Sequence, residues 1–419
     1  MSILLVEDAR TPQLAPITTG RAAFNITVAS FSLLQLVQQL GAPVAAFVRT
    51  YLRDVLAHDF PDVRLMGRSA DSANDEGPTL VINARLTPRA KNLDALRELW
   101  QDDTCRGVVR CDGQIAAVVR PGWTWSTLEA QSGDPLEELV GQESDLPELE
   151  VPLELMSWPH EVIAANMDAF DENIRLRLAS DRYRQLNDGL FVATGVRLGD
   201  YVLTETAAGP IVLDEHVSIG PYTLLRGPLY IGPRSRVLEH AAIKDAVCTG
   251  HTTKIGGEVE ASVIEAYTNK QHHGFLGHSY LGSWINLGAG TCNSDLKNTY
   301  GTVNMEYPGG KMATGMQFLG CAMGDYSKTA INTGIFTGKV IGVCSMMYGF
   351  VTSNVPSFVN YARLFGQLAT LPPEVMVATQ QRMFRRRNVE QRPCDIRLIH
   401  DMYRITQSER DRYGDELAL

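Results

Sequence analysis

Apolar and small residues recur every six positions in the middle of the chain. The first set, spaced six apart, comprises Leu213, Ile219, Leu225, Ile231, Val237, Ile243, Thr249 and Ile255. The second set, four places later, comprises Val217, Thr223, Leu229, Ser235, Ala241, Val247, Thr253 and Val259. A period of six fits neither an amphipathic helix nor a hairpin sheet, and it predicts a parallel β-helix whose short strands stack coil upon coil.

Glycine directly follows four members of the first set, at Gly220, Gly232, Gly250 and Gly256. We expect the branched residues to point into the coil and these glycines to occupy corners where a Cβ atom would be unwelcome. The regular spacing is interrupted at Tyr267–Phe275 and from Cys292 to about Gly315. Both interruptions are predicted to be loops, which often carry the functional site of such a coil.

The region before the coil has the alternating pattern of an α/β domain. Short apolar runs suit buried strands, and helical patterns lie between them. The predicted strands are Ile3–Val6, Ala45–Val48, Thr79–Ile82 and Ala116–Val119, and the predicted helices are Phe31–Leu40, Leu93–Trp100 and one or two from Pro159 to about Leu186. This pattern favours a mostly parallel sheet.

Residues after the coil predict a helical tail. Helices are expected over Glu374–Asn388, which ends in three consecutive arginines, and around Cys394–Tyr403. The arginines suit a solvated helix end, with contact to a phosphate or a partner as the alternative. The predicted domains are therefore 1–185 (α/β), 186–350 (β-helix) and 351–419 (helical tail).

Composition narrows the class of partner and the compartment. The chain has 419 residues, 44% hydrophobic and 21% charged, with a net charge of −10, which argues against nucleic acid as the main partner. The seven cysteines form no CxxC pair, which indicates reduced thiols in the cytoplasm. We find neither a signal peptide nor an apolar run long enough for a membrane span.

Three of the nine histidines fall within seven residues, at His272, His273 and His278. An imidazole can take a proton from an amine or a hydroxyl that attacks a carbonyl group. A zinc site is disfavoured because adjacent side chains on a strand point to opposite faces, although a solvated loop is an alternative. Cys292 has no evident activating partner, and we interpret it as a buried structural thiol.

The run from Tyr267 to Lys297 resembles the acetyltransferase half of the bifunctional UDP-N-acetylglucosamine pyrophosphorylase / glucosamine-1-phosphate N-acetyltransferase. It is still more similar to the GlmU-like sugar nucleotidyltransferases. The matching positions are Lys270, His272, Phe275, Gly277, the run Asn286–Thr291, Asn293 and Lys297. Further matches are Glu7-Asp8-Ala9-Arg10, Leu14 to Arg21, Ile82 to Leu86, and Ser157-Trp158-Pro159 with Asn166.

This resemblance implies a nucleotidyltransferase-like α/β domain followed by a left-handed β-helix, in a cytoplasmic homotrimer whose sites form between neighbouring coils. It also implies acyl transfer from acetyl-CoA to an amino-sugar 1-phosphate. His272 would be the general base, with His273 as the alternative. Lys270, Asn286 and Lys297 would bind the sugar phosphate, and Asn293 would lie near the acyl thioester.

The chain departs from the bifunctional enzymes at several positions. Phe275 stands where they have a tyrosine, and Glu260-Ala261-Ser262 replaces a lysine-rich strand. No Gly-x-Gly-Thr-Arg-Met-like loop follows the first strand, which leaves Arg10 and Arg21 as the nearest cations for a nucleotide. The aspartate that would bind Mg²⁺ is replaced around Asn83-Ala84, and an amide is a poorer Mg²⁺ ligand than a carboxylate.

Asp112 is an alternative metal ligand, so the sequence leaves open whether the first domain binds Mg²⁺. Acyl transfer is thus the favoured activity, and nucleotidyl transfer to a sugar 1-phosphate is a doubtful second one. One alternative is an enzyme that catalyses only nucleotidyl transfer and uses the coil as a trimerisation scaffold. The other is a non-catalytic regulator that binds a sugar nucleotide such as UDP-N-acetylglucosamine.

Overall fold

The computed structural model describes residues 2–66, 80–102, 105–119, 133–141, 146–365 and 367–412. The chain forms two compact units. The first comprises Met1–Leu14, Arg21–Thr27 and Phe31–Trp158, and the second comprises Ala15–Gly20, Val28–Ser30 and Pro159–Leu419. The domain limits at 185 and 350 stay predictions.

The first unit is built on a seven-stranded sheet in the order β3-β2-β1-β4-β6-β5-β7. Its strands are β1 (Ile3–Val6), β2 (Val44–Phe47), β3 (Arg64–Leu65), β4 (Leu80–Asn83), β5 (Gly107–Cys111), β6 (Gln114–Val119) and β7 (Glu148–Leu149). Its helices are α1 (Leu33–Val37), α2 (Arg53–Asp59), α3 (Ala90–Gln101) and α4 (Pro135–Gly141). Strands β1 and β4 are buried along their whole length, as continuous apolar runs in a covered parallel sheet should be.

The sheet is less parallel than its sequence pattern predicts. Strands β1 to β4 run parallel, but β6 is antiparallel to both β4 and β5. The sequence reading missed β5, which joins β6 through a tight hairpin with Asp112 at φ 48°. The predicted strands match β1, β2, β4 and β6 to within two residues, and Thr79 lies outside the described residues.

The second unit contains a parallel β-helix with three strands per coil. Its first sheet has β10 (Arg197–Leu198), β13 (Ser218–Ile219), β16 (Arg236–Val237), β19 (Lys254–Ile255) and β22 (Asn269–Lys270). Its second has β11 (Leu203–Glu205), β14 (Leu224–Arg226), β17 (Ala242–Lys244), β20 (Glu258–Glu260) and β23 (Phe275–Gly277). Its third has β8 (Arg184–Asn187), β9 (Leu190–Val192), β12 (Ile211–Leu213), β15 (Leu229–Ile231), β18 (Val247–Thr249), β21 (Val263–Ile264), β24 (Tyr280–Leu281), β28 (Cys321–Met323) and β31 (Lys339–Ile341).

The interior of the coil is the one that the six-residue period predicts. Every residue of both repeating sets is buried. The glycines stand at corners where one coil nearly touches the next: a Cβ on Gly232 would lie 2.5 Å from the carbonyl oxygen of Gly250. The predicted architecture, an α/β domain followed by a parallel β-helix and a helical tail, is confirmed.

Only the second of the two predicted interruptions leaves the coil. Tyr267–Phe275 stays within it, since β22 and β23 pair with the strands of the coil before, so the expectation of a loop there was wrong. After β25 (Cys292–Asn293) the chain leaves the stack and forms a hairpin of β26 (Asn304–Tyr307) and β27 (Gly310–Ala313). It rejoins the stack at β28.

Helices precede and follow the coil along the chain. Before it lie α5 (Pro159–Asp168) and α6 (Phe170–Leu178), and after it lie α7 (Pro373–Arg385), α8 (Pro393–Ile405) and α9 (Gln407–Asp411). The last coil strands are β29 (Lys328–Thr329), β30 (Gly334–Ile335), β32 (Met346–Met347), β33 (Phe350–Val351) and β34 (Val359–Ala362). Strand β35 (Gln367–Thr370) then pairs antiparallel with β34. Within the described residues, no helix has the length and apolar character needed to cross a membrane.

Candidate functional site

His272 and His273 lie at the corner between β22 and β23, and both are exposed. The Nε2 atom of His272 lies 3.0 Å from the amide nitrogen of the Gln271 side chain. The amide can only donate, so this nitrogen of His272 is an acceptor in that contact. The prediction that the two side chains point to opposite faces of a strand was wrong. They lie at a corner, where side chains do not alternate between faces as they do along a strand.

Cys292 lies one coil beyond this corner, and its thiol is exposed. Its Sγ accepts a hydrogen bond of 3.3 Å from the backbone N–H of Phe275. The expectation of a buried structural thiol was therefore wrong. The coil brings Cys292, Phe275 and the histidine corner into one neighbourhood.

Lys270 points into the coil and is 2% exposed. Its Nζ donates to the carbonyl oxygens of Gly256 at 2.8 Å and His272 at 2.7 Å. Burial lowers the pKa of Lys270 to about 8. The amine thus ties two successive corners together from inside, a position from which it does not reach a phosphate outside the coil.

The other predicted substrate-binding residues are dispersed. Asn293 is buried: its amide oxygen accepts from the N–H of Gly277 at 2.8 Å and its nitrogen donates back to the Gly277 carbonyl at 3.0 Å. Asn286 is exposed, and its amide oxygen accepts from Asn269. Lys297 lies in the excursion after β25 and donates to the carbonyl oxygen of Thr302. Asn286 therefore shares the outer face beside the histidine corner, while Asn293 holds the backbone together.

A histidine–aspartate pair lies at the next corner, and the sequence analysis did not predict this pairing. The Nδ1 atom of His278 lies 2.8 Å from Oδ2 of Asp295, and its ring stacks on Phe318 with centroids 5.3 Å apart. A carboxylate on Nδ1 fixes the ring orientation and the tautomer, which makes Nε2 the nitrogen that can accept a proton. Residues seventeen apart are neighbours in this part of the coil, as Glu258 and Phe275 are. That spacing is the signal that could have found the pair.

In the first unit, acidic and basic residues meet where β1 and β4 end. The carboxylate of Asp8 accepts from Arg85 Nε at 2.8 Å and from a terminal guanidinium nitrogen of Arg85 at 2.6 Å. The amide nitrogen of Asn83 donates to it at 2.9 Å. Arg85 is fully buried, and it also donates to Gln114 and to the carbonyl oxygen of Met156.

These contacts shift the acid–base balance of Asp8. Burial by itself raises the pKa of the carboxyl group, but hydrogen bonds and the charge of Arg85 outweigh it and leave the pKa of Asp8 below its ordinary value. The guanidinium of Arg85 thus donates to both oxygens of the Asp8 carboxylate. Mg²⁺ prefers carboxylate and water oxygens, so a carboxylate saturated by an arginine and an amide does not fit it.

Glu7 forms a second ion pair at the same edge. Its carboxylate accepts from Nε of Arg49 and from the backbone N–H of Ala23, both at 2.9 Å. Arg49 also donates to the carbonyl oxygen of Arg21. A cleft of about 270 Å³ opens beside Glu7, Asp8 and Arg49, at the carboxyl ends of parallel strands, where α/β sheets bind their ligands.

The lining of this cleft does not include Arg10, Arg21 or Asn83, the residues predicted to bind a nucleotide. Asn83 is buried within the Asp8 network, Arg21 is half-buried and Arg10 is exposed. Asp112 lies exposed in the β5–β6 turn. In the part of the chain that the structure describes, no three His, Cys, Asp or Glu side chains are placed to hold a metal ion.

Residues 3–182 match the family described as sugar nucleotidyl transferase. This match and the curated relatives confirm the resemblance of the chain to the GlmU-like proteins.

Curated relatives match parts of the chain. Uncharacterized acetyltransferase YaiX of Escherichia coli is 28% identical over 148 residues, 35% of this chain and 64% of that protein. The bifunctional sugar-1-phosphate nucleotidylyltransferase/acetyltransferase of Sulfurisphaera tokodaii is 29% identical over 142 residues, 33% of this chain and 35% of that protein. The bifunctional protein GlmU of Acidithiobacillus ferrooxidans is 34% identical over 122 residues, 27% and 26% respectively.

The chain therefore spans less than two thirds of the length of each of these relatives. The first is named an acetyltransferase, and the second is named for both of the predicted activities. Among solved structures, the UDP-N-acetylglucosamine acyltransferase of Francisella novicida is 15% identical with a TM-score of 0.29. The matched region covers 54% of this chain and 79% of the acyltransferase chain.

The ion pair of Asp8 and Arg85 should dominate the stability of the first unit. Replacement of Arg85 by Met leaves a buried carboxylate without its cation, and we expect a loss of roughly 3–5 kcal/mol in the free energy of unfolding. The double variant Asp8→Asn/Arg85→Met should recover part of that loss. Urea denaturation measures both. Arg97→Met, which removes the half-buried partner of the exposed Asp94, is the control and should cost less than about 1 kcal/mol.

The same pair fixes the sign of the pH dependence. Because the pKa of Asp8 is lowered on folding, its stabilisation is present above the unfolded value and disappears as pH falls through the lowered folded value. Wild-type stability should therefore decline below about pH 4, and Asp8→Asn should show a smaller acid decline. Equal acid declines in the two proteins would contradict this assignment.

Proposed function

We propose that the coil transfers an acetyl group from acetyl-CoA to the amine of an amino-sugar 1-phosphate. The observation that carries the proposal is the exposed corner of His272 and His273, whose neighbouring coil contributes Cys292 and Asn286 on the outer surface. The names of the relatives, acetyltransferases among them, support the same chemistry.

In this proposal His272 takes the proton of the attacking amine through Nε2, displacing the amide of Gln271. The amine nitrogen bonds to the thioester carbon, the C–S bond breaks, and the thiolate leaves and takes the proton from the imidazolium. Asn286 and Lys297 would contact the sugar phosphate. Lys270 and Asn293 would act indirectly, by holding the backbone of the corners on either side.

The pair of His278 and Asp295 is the competing candidate for the base. Its carboxylate partner favours it, because an oriented imidazole presents a defined acceptor nitrogen. Its partial burial under Phe318 counts against it, since a base must reach the proton it removes. We retain His272 as the base and His273 as its alternative, and the variants below separate all three histidines.

For the first unit we propose binding of a sugar nucleotide with weak or absent nucleotidyl transfer. The buried guanidinium of Arg85 on Asp8 is the reason, because phosphoryl chemistry on a nucleoside triphosphate depends on metal ions that neutralise developing charge. This disfavours a protein whose only activity is nucleotidyl transfer. A regulator that binds without turnover would show neither reaction.

The assembly and compartment are also proposals. We propose a homotrimer that packs through the coils, in line with the resemblance to GlmU-like proteins. All seven cysteines are free thiols, which fits a reducing compartment, and we propose a cytoplasmic location. The net charge of −10 supports small anionic ligands in local basic sites over nucleic acid.

Replacement of His272 by Ala should lower acetyl transfer by roughly 10²–10⁴-fold, the usual contribution of a general base. Release of free thiol from acetyl-CoA with a panel of amino-sugar 1-phosphates is the measurement. His216→Ala, on an earlier exposed corner, is the control and should leave the rate unchanged. We expect His273→Ala to cost less than tenfold.

Loss of activity in both His278→Ala and Asp295→Asn, with His272→Ala active, would move the base to His278. No thiol release with any substrate would reject the acyltransferase proposal in favour of a binding protein.

Pyrophosphate release from UTP and a sugar 1-phosphate should be far below the typical enzyme rate of about 10 s⁻¹, with or without Mg²⁺. The physical reason is the ion pair that occupies Asp8. A coupled phosphate assay on the full chain measures it. A rate near the typical value would show that Arg85 leaves Asp8 during turnover, and Arg10, Arg21 and Asp112 would then be the residues to replace first.

The assembly can be tested by light scattering on the purified chain at micromolar concentration. A trimer should have about three times the 46.1 kDa of one chain. A monomer mass would contradict the trimer and any site shared between neighbouring coils.

A further inference from the structure

One corner of the coil is two residues shorter than its neighbours. The first and second sheets are joined by four residues in three successive coils, 199–202, 220–223 and 238–241. In the next coil β19 ends at Ile255 and β20 begins at Glu258, so Gly256 and Gly257 alone make the corner. The strands on both sides stay in register with the coil before. The shortening therefore cuts into the corner and leaves the stack intact.

Planar rings fill the same place in the three corners before the short one. Tyr201 stacks on Tyr222 with centroids 5.0 Å apart and ring planes 12° apart, and Tyr222 stacks on His240 at 5.3 Å and 5°. All three side chains are exposed. The column stops at His240, because the following corner has no residue at the equivalent place.

The column resumes one coil later. The corner after the short one has four residues again, 271–274, and the residue equivalent to His240 is His273. The Nε2 atom of His273 lies 3.4 Å from the position of a Cβ on Gly290, one coil further on. His273 thus lies over the next coil, in line with the stacking direction. We call the short corner between His240 and His273 the corner notch.

The notch has the width of one aromatic ring. Neighbouring parallel strands lie about 4.8 Å apart, so the corners of His240 and His273 are separated by roughly 10 Å. Stacked aromatic rings prefer centroid distances of about 4.5–7 Å. A single planar ring between the two imidazoles would continue the column at its own spacing.

Cations gather on the strands that lead into the notch. Arg236 and Lys254 are paired neighbours on the first sheet, and Lys254 is paired with Asn269. Arg387, just after α7, donates to the amide oxygen of Asn269. Burial and the nearby charges of Arg387, Arg236 and Arg386 lower the pKa of Lys254. Four positive charges that disfavour one another form a site that an anion would stabilise.

We propose that the corner notch binds the base of a nucleotide, whose phosphates lie on Arg236, Lys254, Arg386 and Arg387. The chemistry is that of a nucleoside diphosphate. Its source is either the adenine nucleotide of coenzyme A or the uridine nucleotide of a sugar nucleotide. This binding site goes beyond the acetyl transfer proposed above, because it exists whether or not transfer takes place.

Calorimetric titration of the full chain with ADP and, separately, with UDP tests the proposal. His240→Ala should weaken binding of the preferred nucleotide roughly 5- to 100-fold, the range for loss of one base-stacking partner. His240→Phe should retain most of the affinity, because it keeps the ring. Tyr201→Ala, at the far end of the column, is the matched control and should bind as the wild type does.

The cationic half of the site has its own test. Arg236→Gln should weaken binding and reduce its dependence on salt, since one charge pair is lost. Arg184→Gln, an exposed arginine on the third sheet, should change neither. Tighter binding of ADP would identify the coenzyme as the source, and tighter binding of UDP would identify the sugar nucleotide.

A restored corner gives the sharpest test. Insertion of Glu-His between Gly256 and Gly257 copies the preceding corner and would put a ring in the notch. We expect nucleotide binding to be lost at this site while the thermal unfolding temperature stays close to that of the wild type. If that variant misfolds, His240→Ala and Arg236→Gln still decide the question.

Unchanged affinity in both His240→Ala and Arg236→Gln would overturn the proposal and move any nucleotide binding to the first unit. His272→Ala should bind the nucleotide as the wild type does. An absence of acetyl transfer and an absence of nucleotide binding at the corner notch are therefore distinguishable.

Discussion

The stacking of coils at a fixed spacing is the constraint on which the second unit depends. Each coil must present an apolar or small residue inward at the same place, so that the backbone hydrogen bonds of successive strands stay in register. The residues from Leu213 to Ile255 meet this condition at every coil. Because the strands cannot shift, variation in length and chemistry is confined to the corners, where the exposed histidines and stacked rings are found.

Chemical groups that look alike in sequence have different roles in this framework. Lys270 and Asn293 belong to the matching motif, yet their polar atoms satisfy backbone groups inside the coil. A buried amine with carbonyl partners stiffens the two corners it joins, since an unpaired carbonyl there would be costly. The side chains of His272, at a corner, and of Cys292, on the outer side of β25, are in contrast exposed.

In the first unit, too, acidic side chains have their partners within the fold. Asp8 and Glu7 follow β1 directly, at the edge where α/β sheets bind ligands, and each is matched by an arginine. Buried ion pairs of this kind are costly to break on one side only. Both oxygens of the Asp8 carboxylate accept hydrogen bonds from Arg85 or Asn83, so neither is free for a metal ion.

Much of this protein is determined by its sequence alone, because a short repeat dictates local structure directly. The six-residue period is enough to predict the coil, its interior residues and the glycine corners, and apolar runs place β1 and β4. Tertiary structure decided what depends on neighbours distant in sequence. The pairing of His278 with Asp295, the bond from Lys270 to Gly256 and the ion pair of Asp8 with Arg85 all join residues at least 14 positions apart. Periodicity cannot report such contacts, since they depend on how coils and strands come to lie side by side.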